Sequence, residues 1–210
     1  MTLFMLILAQ SIRLAFRRGG GAFGVAAFYI IVVTLFTFAL GPVALAQHAG
    51  AVLCVAMLLS FITSLPSMYE RDHEDGTLEQ LLLQPSLLEL LVLAKICGQF
   101  ASNIVPILLL SPVLAGMAGL TLAQMAEPLL RLLMASISMV SIGSVVAGLT
   151  LGSRRGGLLQ ALIILPLYIP LLIFAATQSV LGLWLLGAFA CATLPLACLL
   201  SAALIRLSVD

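Results

Sequence analysis

Residues 49–65 read Ala-Gly-Ala-Val-Leu-Cys-Val-Ala-Met-Leu-Leu-Ser-Phe-Ile-Thr-Ser-Leu, and a few positions later the chain turns to Glu70-Arg71-Asp72-His73-Glu74-Asp75. An uncharged apolar run ending in the densest charge of the chain reads as a helix leaving a bilayer for water. The rest of the composition agrees: of 210 residues 63% are hydrophobic and only 8% charged, with a mean hydropathy of +1.27. A soluble domain of this length covers its outside with far more charge, whereas a lipid-facing surface needs none. The expected fold is therefore all-α and polytopic.

A spanning helix takes roughly 20 apolar residues, because about 30 Å of hydrocarbon is crossed at 1.5 Å per residue. Six stretches meet or approach that length, at about 22–40, 49–65, 96–118, 129–151, 158–175 and 182–205. They form one membrane domain over residues 1–210, with no internal repeat or linker. The short loops near 41–48, 119–128 and 176–181 leave no room for a second domain. Residues 1–18 carry Arg13, Arg17 and Arg18 after an apolar stretch rather than before it, the reverse of a secretory signal. They are expected to be retained as an amphipathic interfacial helix.

Orientation follows from Lys and Arg, which favour cytoplasmic loops. With the N-terminus inside, eight of the nine basic residues are cytoplasmic and only Arg131 lies near the outer side. Both termini are then cytoplasmic.

A net charge of +1 offers no basic field for nucleic acid. The four cysteines, Cys54, Cys97, Cys191 and Cys198, have no metal-binding spacing and read as small buried hydrophobes. No catalytic residue and no metal site is assigned. The only lysine, Lys95, stands outside any phosphate-binding loop, so an ATPase would be a separate polypeptide. No ionisable residue falls near the middle of a span, and Lys95, Glu127 and Arg131 fall at interfaces where long side chains reach water. Coupling to an ion gradient thus lacks a chemical carrier.

Polar and helix-bending residues mark a candidate pathway or hinge. Gln99, Asn103, Pro106 and Ser111 lie on the third span, and Pro166, Tyr168 and Pro170 on the fifth. They read either as a polar, bent wall of a path or as interhelical packing and hydrogen bonding. The two prolines of the fifth span are expected to kink or break it near its middle, with a re-entrant pair of half-helices as one outcome. On the fourth span, Ser144, Gly148 and Gly152 have the small-xxx-small spacing of close helix packing.

The acidic stretch lies in a cytoplasmic segment, 66–88, that anionic lipid repels. Gly76 is followed by Thr77-Leu78-Glu79-Gln80, which fits a capping box, and Pro85 ends the helix after about two turns. Leu78, Leu81 and Leu82 share one face. A helix this short is marginal alone and needs a surface to pack on, which is either the chain's own spans or the groove of a partner.

The run Glu70 to Pro85 resembles the signature after the second span of type 2 ABC exporters. That resemblance implies docking of a cytoplasmic ATP-binding subunit on Glu70, Arg71, Asp72, Asp75, Gly76, Thr77, Leu78, Glu79, Leu81 and Leu82. Further along, Leu93-Ala94-Lys95, Leu110-Ser111-Pro112 and Arg155-Gly156-Gly157 with Leu165 to Ala175 resemble the haem exporter B (CcmB) family of bacterial cytochrome c maturation. The stretch between the fifth and sixth spans is shorter than in that family. The closer resemblance implies a non-enzymatic permease subunit of the bacterial inner membrane, paired with a second copy of itself and embedded in membrane lipid. Its partners would be the ATP-binding subunit, a haem-handling membrane subunit, a small membrane subunit and a periplasmic haem chaperone. ATP would bind the partner and drive either export of haem as cargo or release of a haem-loaded chaperone, and this chain would hold no cofactor. The two histidines are His48, in the first outer loop, and His73, in the segment that faces the ATPase. His48 reads as a haem ligand or as a solvated loop residue. Two rival functions stay open: a generic exporter of a drug, lipid or polysaccharide, and an assembly subunit that moves nothing.

Overall fold

A computed structural model describes residues 21–65, 68–69, 76, 88–117, 119–151, 156–177 and 179–209. The expected interfacial helix at 1–18 lies outside them. Among the described residues the elements are α1 (Gly21–Ile62), α2 (Leu88–Gln99), a π-helical turn (Phe100–Ile104), α3 (Val105–Met117), α4 (Leu122–Leu149), α5 (Gly156–Ala176) and α6 (Val180–Val209). They supply six stretches long and apolar enough to cross a membrane. The all-α, six-span architecture expected from hydropathy is the one found.

The first two spans are one element with two breaks. Gly41 has φ 74° and ψ 165°, a region open in practice only to glycine, and His48 has φ −117° and ψ 19°. The expected loop at 41–48 is thereby corrected: helix runs through it with breaks at Gly41 and His48, and the second span begins at Val43, reaching 20 residues.

The third span is interrupted by the π-helical turn, where the Val105 N–H donates to the carbonyl of Phe100. Pro106 follows at once. In an unbroken α-helix its ring would meet the carbonyl of Ser102 and leave it without a donor, so a widened turn there relieves the clash. α3 then ends in a Schellman motif, with Gly119 N–H to Gly116 O at 2.9 Å and Leu120 N–H to Ala115 O at 3.3 Å. Gly119 has φ 83°, the left-handed value that motif requires. Thr121 precedes α4, and its N–H donates to Gln124 Oε1 at 3.0 Å, the returning half of a capping box.

Helix α4 is the axis of the bundle. Within an apolar stretch of 18 residues of this span 72% are buried, against 22% in the corresponding stretch of the first and 28% in those of the fifth and sixth, which turn most of their surface outward. Its serines make this possible: Ser136 and Ser141 donate to carbonyls of their own helix at 2.6 and 2.8 Å, so their hydroxyls enter the core satisfied. Small residues let neighbours close in. A Cβ on Gly148 would lie 3.7 Å from Leu204 Cβ and 3.8 Å from Ser201 O, both on α6. A Cβ on Gly143 would fall 2.6 Å from Leu65 Cδ2 and 3.0 Å from Phe61 Cε1, so α4 packs closely against the end of α1 and a larger residue there would have to displace these side chains. The small-xxx-small reading holds for Ser144 and Gly148; Gly152 lies outside the described residues.

Helix α5 departs from expectation. It runs unbroken from Gly156 to Ala176 through both Pro166 and Pro170. Each proline removes one donor, and spanning helices tolerate that loss when local adjustment and neighbours re-satisfy the backbone. There is no re-entrant pair of half-helices. One turn into α6, Trp184 is 75% exposed.

Candidate functional site

The sequence points to two places, the acidic segment and the polar spans. Of the predicted docking residues, Gly76 is described, with φ 67° and open space around its Cβ position. Glu70, Arg71, Asp72, Asp75, Thr77, Leu78, Glu79, Leu81 and Leu82 lie outside the described residues. Met68 and Tyr69 are buried before the segment and Leu88 after it.

The predicted pathway residues divide into two groups. Gln99 Nε2 donates to Ser64 Oγ at 3.3 Å, Asn103 is buried in the π-helical turn, and Ser111 Oγ lies 2.8 Å from Tyr29 Oη. Pro106 is half-buried at the end of that turn. These four residues follow one another along the third span, with Gln99, Asn103 and Ser111 turned toward α1 or the core. On α5, Tyr168 is fully buried and its hydroxyl donates to the carbonyl of Met139 on α4. Pro166 and Pro170 are exposed on the opposite surface of that helix and do not join the others. Replacing Tyr168 by phenylalanine removes one interhelical hydrogen bond and keeps the ring, so it should cost about 0.6–1.7 kcal/mol. A drop of a few degrees in the thermal midpoint, about 2–4 °C per kcal/mol, is the expected reading. Lost transport at an unchanged midpoint would instead assign the hydroxyl to the cargo.

Two tyrosines went unnoticed in the sequence. All three tyrosines of the chain are fully buried, and each reaches another helix. Tyr29 pairs with Ser111, and Tyr69 Oη lies 2.8 Å from Ser144 Oγ, which lies 2.9 Å from Ser201 Oγ. The available signal was the residue type itself, because a buried phenol hydroxyl needs a partner and so reports a neighbouring helix.

Arg131 corrects the sequence reading most sharply. It does not extend to water: its side chain is 3% exposed. Nε and Nη2 donate to Glu127 Oε1 at 3.1 and 2.6 Å. Nη1 donates to Thr177 O at 2.6 Å and reaches Phe174 O at 3.5 Å, while Nη2 also donates to Ser179 O at 2.9 Å. All five guanidinium N–H groups are thus engaged. The cation sits on the carbonyls that end α5, where the helix dipole is negative. Ser179 in turn caps α6 by accepting from the Gly182 N–H at 3.1 Å. A Cβ on Gly182 would fall 2.8 Å from Thr177 O, so the turn closes tightly over the guanidinium. The short connection between the fifth and sixth spans is held by this one side chain. Its signal in the sequence was the Glu127/Arg131 pair at i, i+4.

Beside the clamp is a cavity of about 290 Å³, lined by His48, Gln124, Glu127, Arg131 and Ala175 among others. His48, one of its lining residues, is exposed at a break within α1 rather than in a loop. Among the described residues no group of His, Cys, Asp or Glu could hold a metal ion.

An all-helical bundle with six membrane-crossing stretches, a serine-rich central helix and its buried polar groups joined from helix to helix defines a polytopic membrane protein. The family model described as CcmB protein matches residues 2–208, and the chain belongs to that family. It is 41% identical over 175 residues to heme exporter protein B of Pseudomonas aeruginosa, covering 82% of this chain and 78% of that one. Similarity to heme exporter protein B of Paracoccus denitrificans is 38% over 215 residues, 97% of this chain and 98% of the relative. For heme exporter protein B of Escherichia coli K12 it is 34% over 219 residues, 99% and 100%.

Proposed function

We propose that this chain is the membrane permease subunit of an ABC transporter that serves haem delivery to the periplasm for c-type cytochromes. The observation that carries this reading is the family match over nearly the whole chain, with relatives named as haem exporters. In the proposed arrangement the chain lies in the bacterial inner membrane with both termini cytoplasmic, so the Arg131 clamp and its cavity are on the periplasmic side. Two copies pair, and an ATP-binding subunit docks on Glu70 to Pro85 of each. A haem-handling membrane subunit, a small membrane subunit and a periplasmic haem chaperone complete the pathway. The chain itself binds no cofactor and hydrolyses nothing.

One observation favours a particular use of the ATP. Tyr29, Tyr69, Tyr168, Gln99 and Ser111 are engaged with other helices, and the 290 Å³ cavity lies at the low end of the range of small-molecule pockets. This supports release of a haem-loaded chaperone driven by ATP over passage of haem through a single copy.

Expression of this chain in Pseudomonas aeruginosa lacking its own heme exporter protein B should restore covalently bound haem in c-type cytochromes. Export of an unrelated drug or lipid, with no return of c-type cytochromes, would support the generic exporter instead. Purified complex in sealed vesicles then separates release from passage. Chaperone release without haem crossing is the expected result.

A further inference from the structure

Both ends of the 70–87 segment are tied to the same stretch of α6. Before the segment, Tyr69 Oη bonds Ser144 Oγ at 2.8 Å, and Ser144 Oγ bonds Ser201 Oγ at 2.9 Å. After it, Glu89 in the first turn of α2 pairs with Arg206 at 3.8 Å. Ser201 and Arg206 are little more than one turn of α6 apart.

The two ties differ in kind. The hydroxyl relay is fully buried at all three residues, and a Cβ on nearby Gly148 would lie within 3.9 Å of Ser201 Cα, so α4 and α6 are in close contact where the relay crosses them. It transmits displacement as a packed link does, without slack. The ion pair is loose: its closest approach is 3.8 Å, the Arg206 side chain is 61% exposed, and Glu89 Oε2 is buried without a hydrogen-bond partner. An unpartnered buried carboxylate oxygen beside a mobile-length cation is a contact with a better geometry within reach, since a guanidinium engages both oxygens of a carboxylate when it closes.

We propose that residues 201–206 of α6 are the element through which nucleotide-driven movement at the 70–87 segment enters the bundle, with Tyr69, Ser144 and Ser201 as a rigid link and Glu89 with Arg206 as a contact that tightens. None of these residues belongs to the docking surface or to a cargo site; they are positioning residues. The inference rests on the proposal that an ATP-binding subunit docks on that segment. A partner pushing on either end of the segment moves α6, and α6 carries the motion to the Arg131 corner at its other end.

The test is backbone amide exchange across residues 199–209 of the complex in lipid nanodiscs, with the ATP-binding subunit bound, in the presence and absence of a non-hydrolysable ATP analogue. The unaltered chain should show a nucleotide-dependent change there. Tyr69→Phe combined with Glu89→Gln should shrink that change at least about fivefold, the ratio set by loss of the Tyr69 hydrogen bond alone, with the ATPase still co-purifying. Ser201→Thr keeps the hydroxyl and should keep the response, whereas Ser201→Ala should weaken it. A merely structural role would alter exchange equally with and without nucleotide. If the ATPase binds and nucleotide leaves 199–209 unchanged, or if the double variant responds in full, the inference is overturned. If no ATPase co-purifies with the unaltered chain, the docking reading falls first and takes the inference with it.

Discussion

Arg131→Met should lower the thermal midpoint of this protein by about 6–12 °C, corresponding to a loss of about 3 kcal/mol at 2–4 °C per kcal/mol. Methionine matches the length of the side chain and supplies no donor. Glu127 is 59% exposed on its side chain, so it returns to water at little cost when its partner goes. The carbonyls of Thr177 and Ser179 are less fortunate. They end α5 and precede α6 in a turn that closes over the guanidinium, and bonds from a charged donor are the ones whose loss costs most. Arg131→Lys keeps the charge, but an ammonium is one point with three donors and does not span a carboxylate and two separated carbonyls. It should recover less than half of the loss. The measurement is unfolding in a fixed detergent, followed by far-ultraviolet circular dichroism. A methionine variant that melts with the parent would show that the turn holds without its clamp.

Leu82→Asp together with Glu79→Lys should weaken association with the ATP-binding subunit by at least about 30-fold, the equivalent of one interface hot spot of about 2 kcal/mol. The proposed insert is a short capped helix whose leucines enter a groove. A carboxylate at its centre has to be desolvated on binding, and a lysine in the first turn opposes the helix dipole. Membrane insertion should be unaffected, because both positions fall in the expected cytoplasmic segment 66–88. The check is co-purification in detergent and stimulation of ATPase turnover in nanodiscs. An ATPase that binds and turns over normally with both changes would place the leucines against this chain's own spans, the other reading of their spacing.

The spans were legible because burial in lipid is written in composition, residue by residue. The third to sixth spans match the expected limits within one or two residues at all but two ends: the third begins eight residues and the fourth seven residues before the expected start. What hydropathy misses is whatever depends on a neighbour. Residues 41–48 look alike in sequence whether they form an open loop or helix with breaks at Gly41 and His48. The prolines of α5 look like breaks because their effect on a lone helix is a break, and the helix survives because it is not alone. A capping box was expected at Thr77 and Gln80, outside the described residues; the structure shows its returning half at Thr121 and Gln124, a pair of the same residue types at the same spacing. As for the site, Tyr168, Gln99 and Ser111 were visible as polar groups in apolar runs, but their partners were not. Arg131 was visible and misplaced. A long side chain near a span end can reach outward or inward, and only the carbonyls at the end of α5 decide which.

Trp184 offers a use of a different kind. It is the sole tryptophan, 75% exposed one turn into α6, at the end where Arg131 holds the turn. Its fluorescence is therefore a single-site optical gauge of that surface and needs no label. Brominated acyl chains quench an indole they touch, and a protein neighbour shields it. The emission of one residue thus reports, in the assembled complex and in real time, whether this face of the sixth helix meets lipid or another subunit.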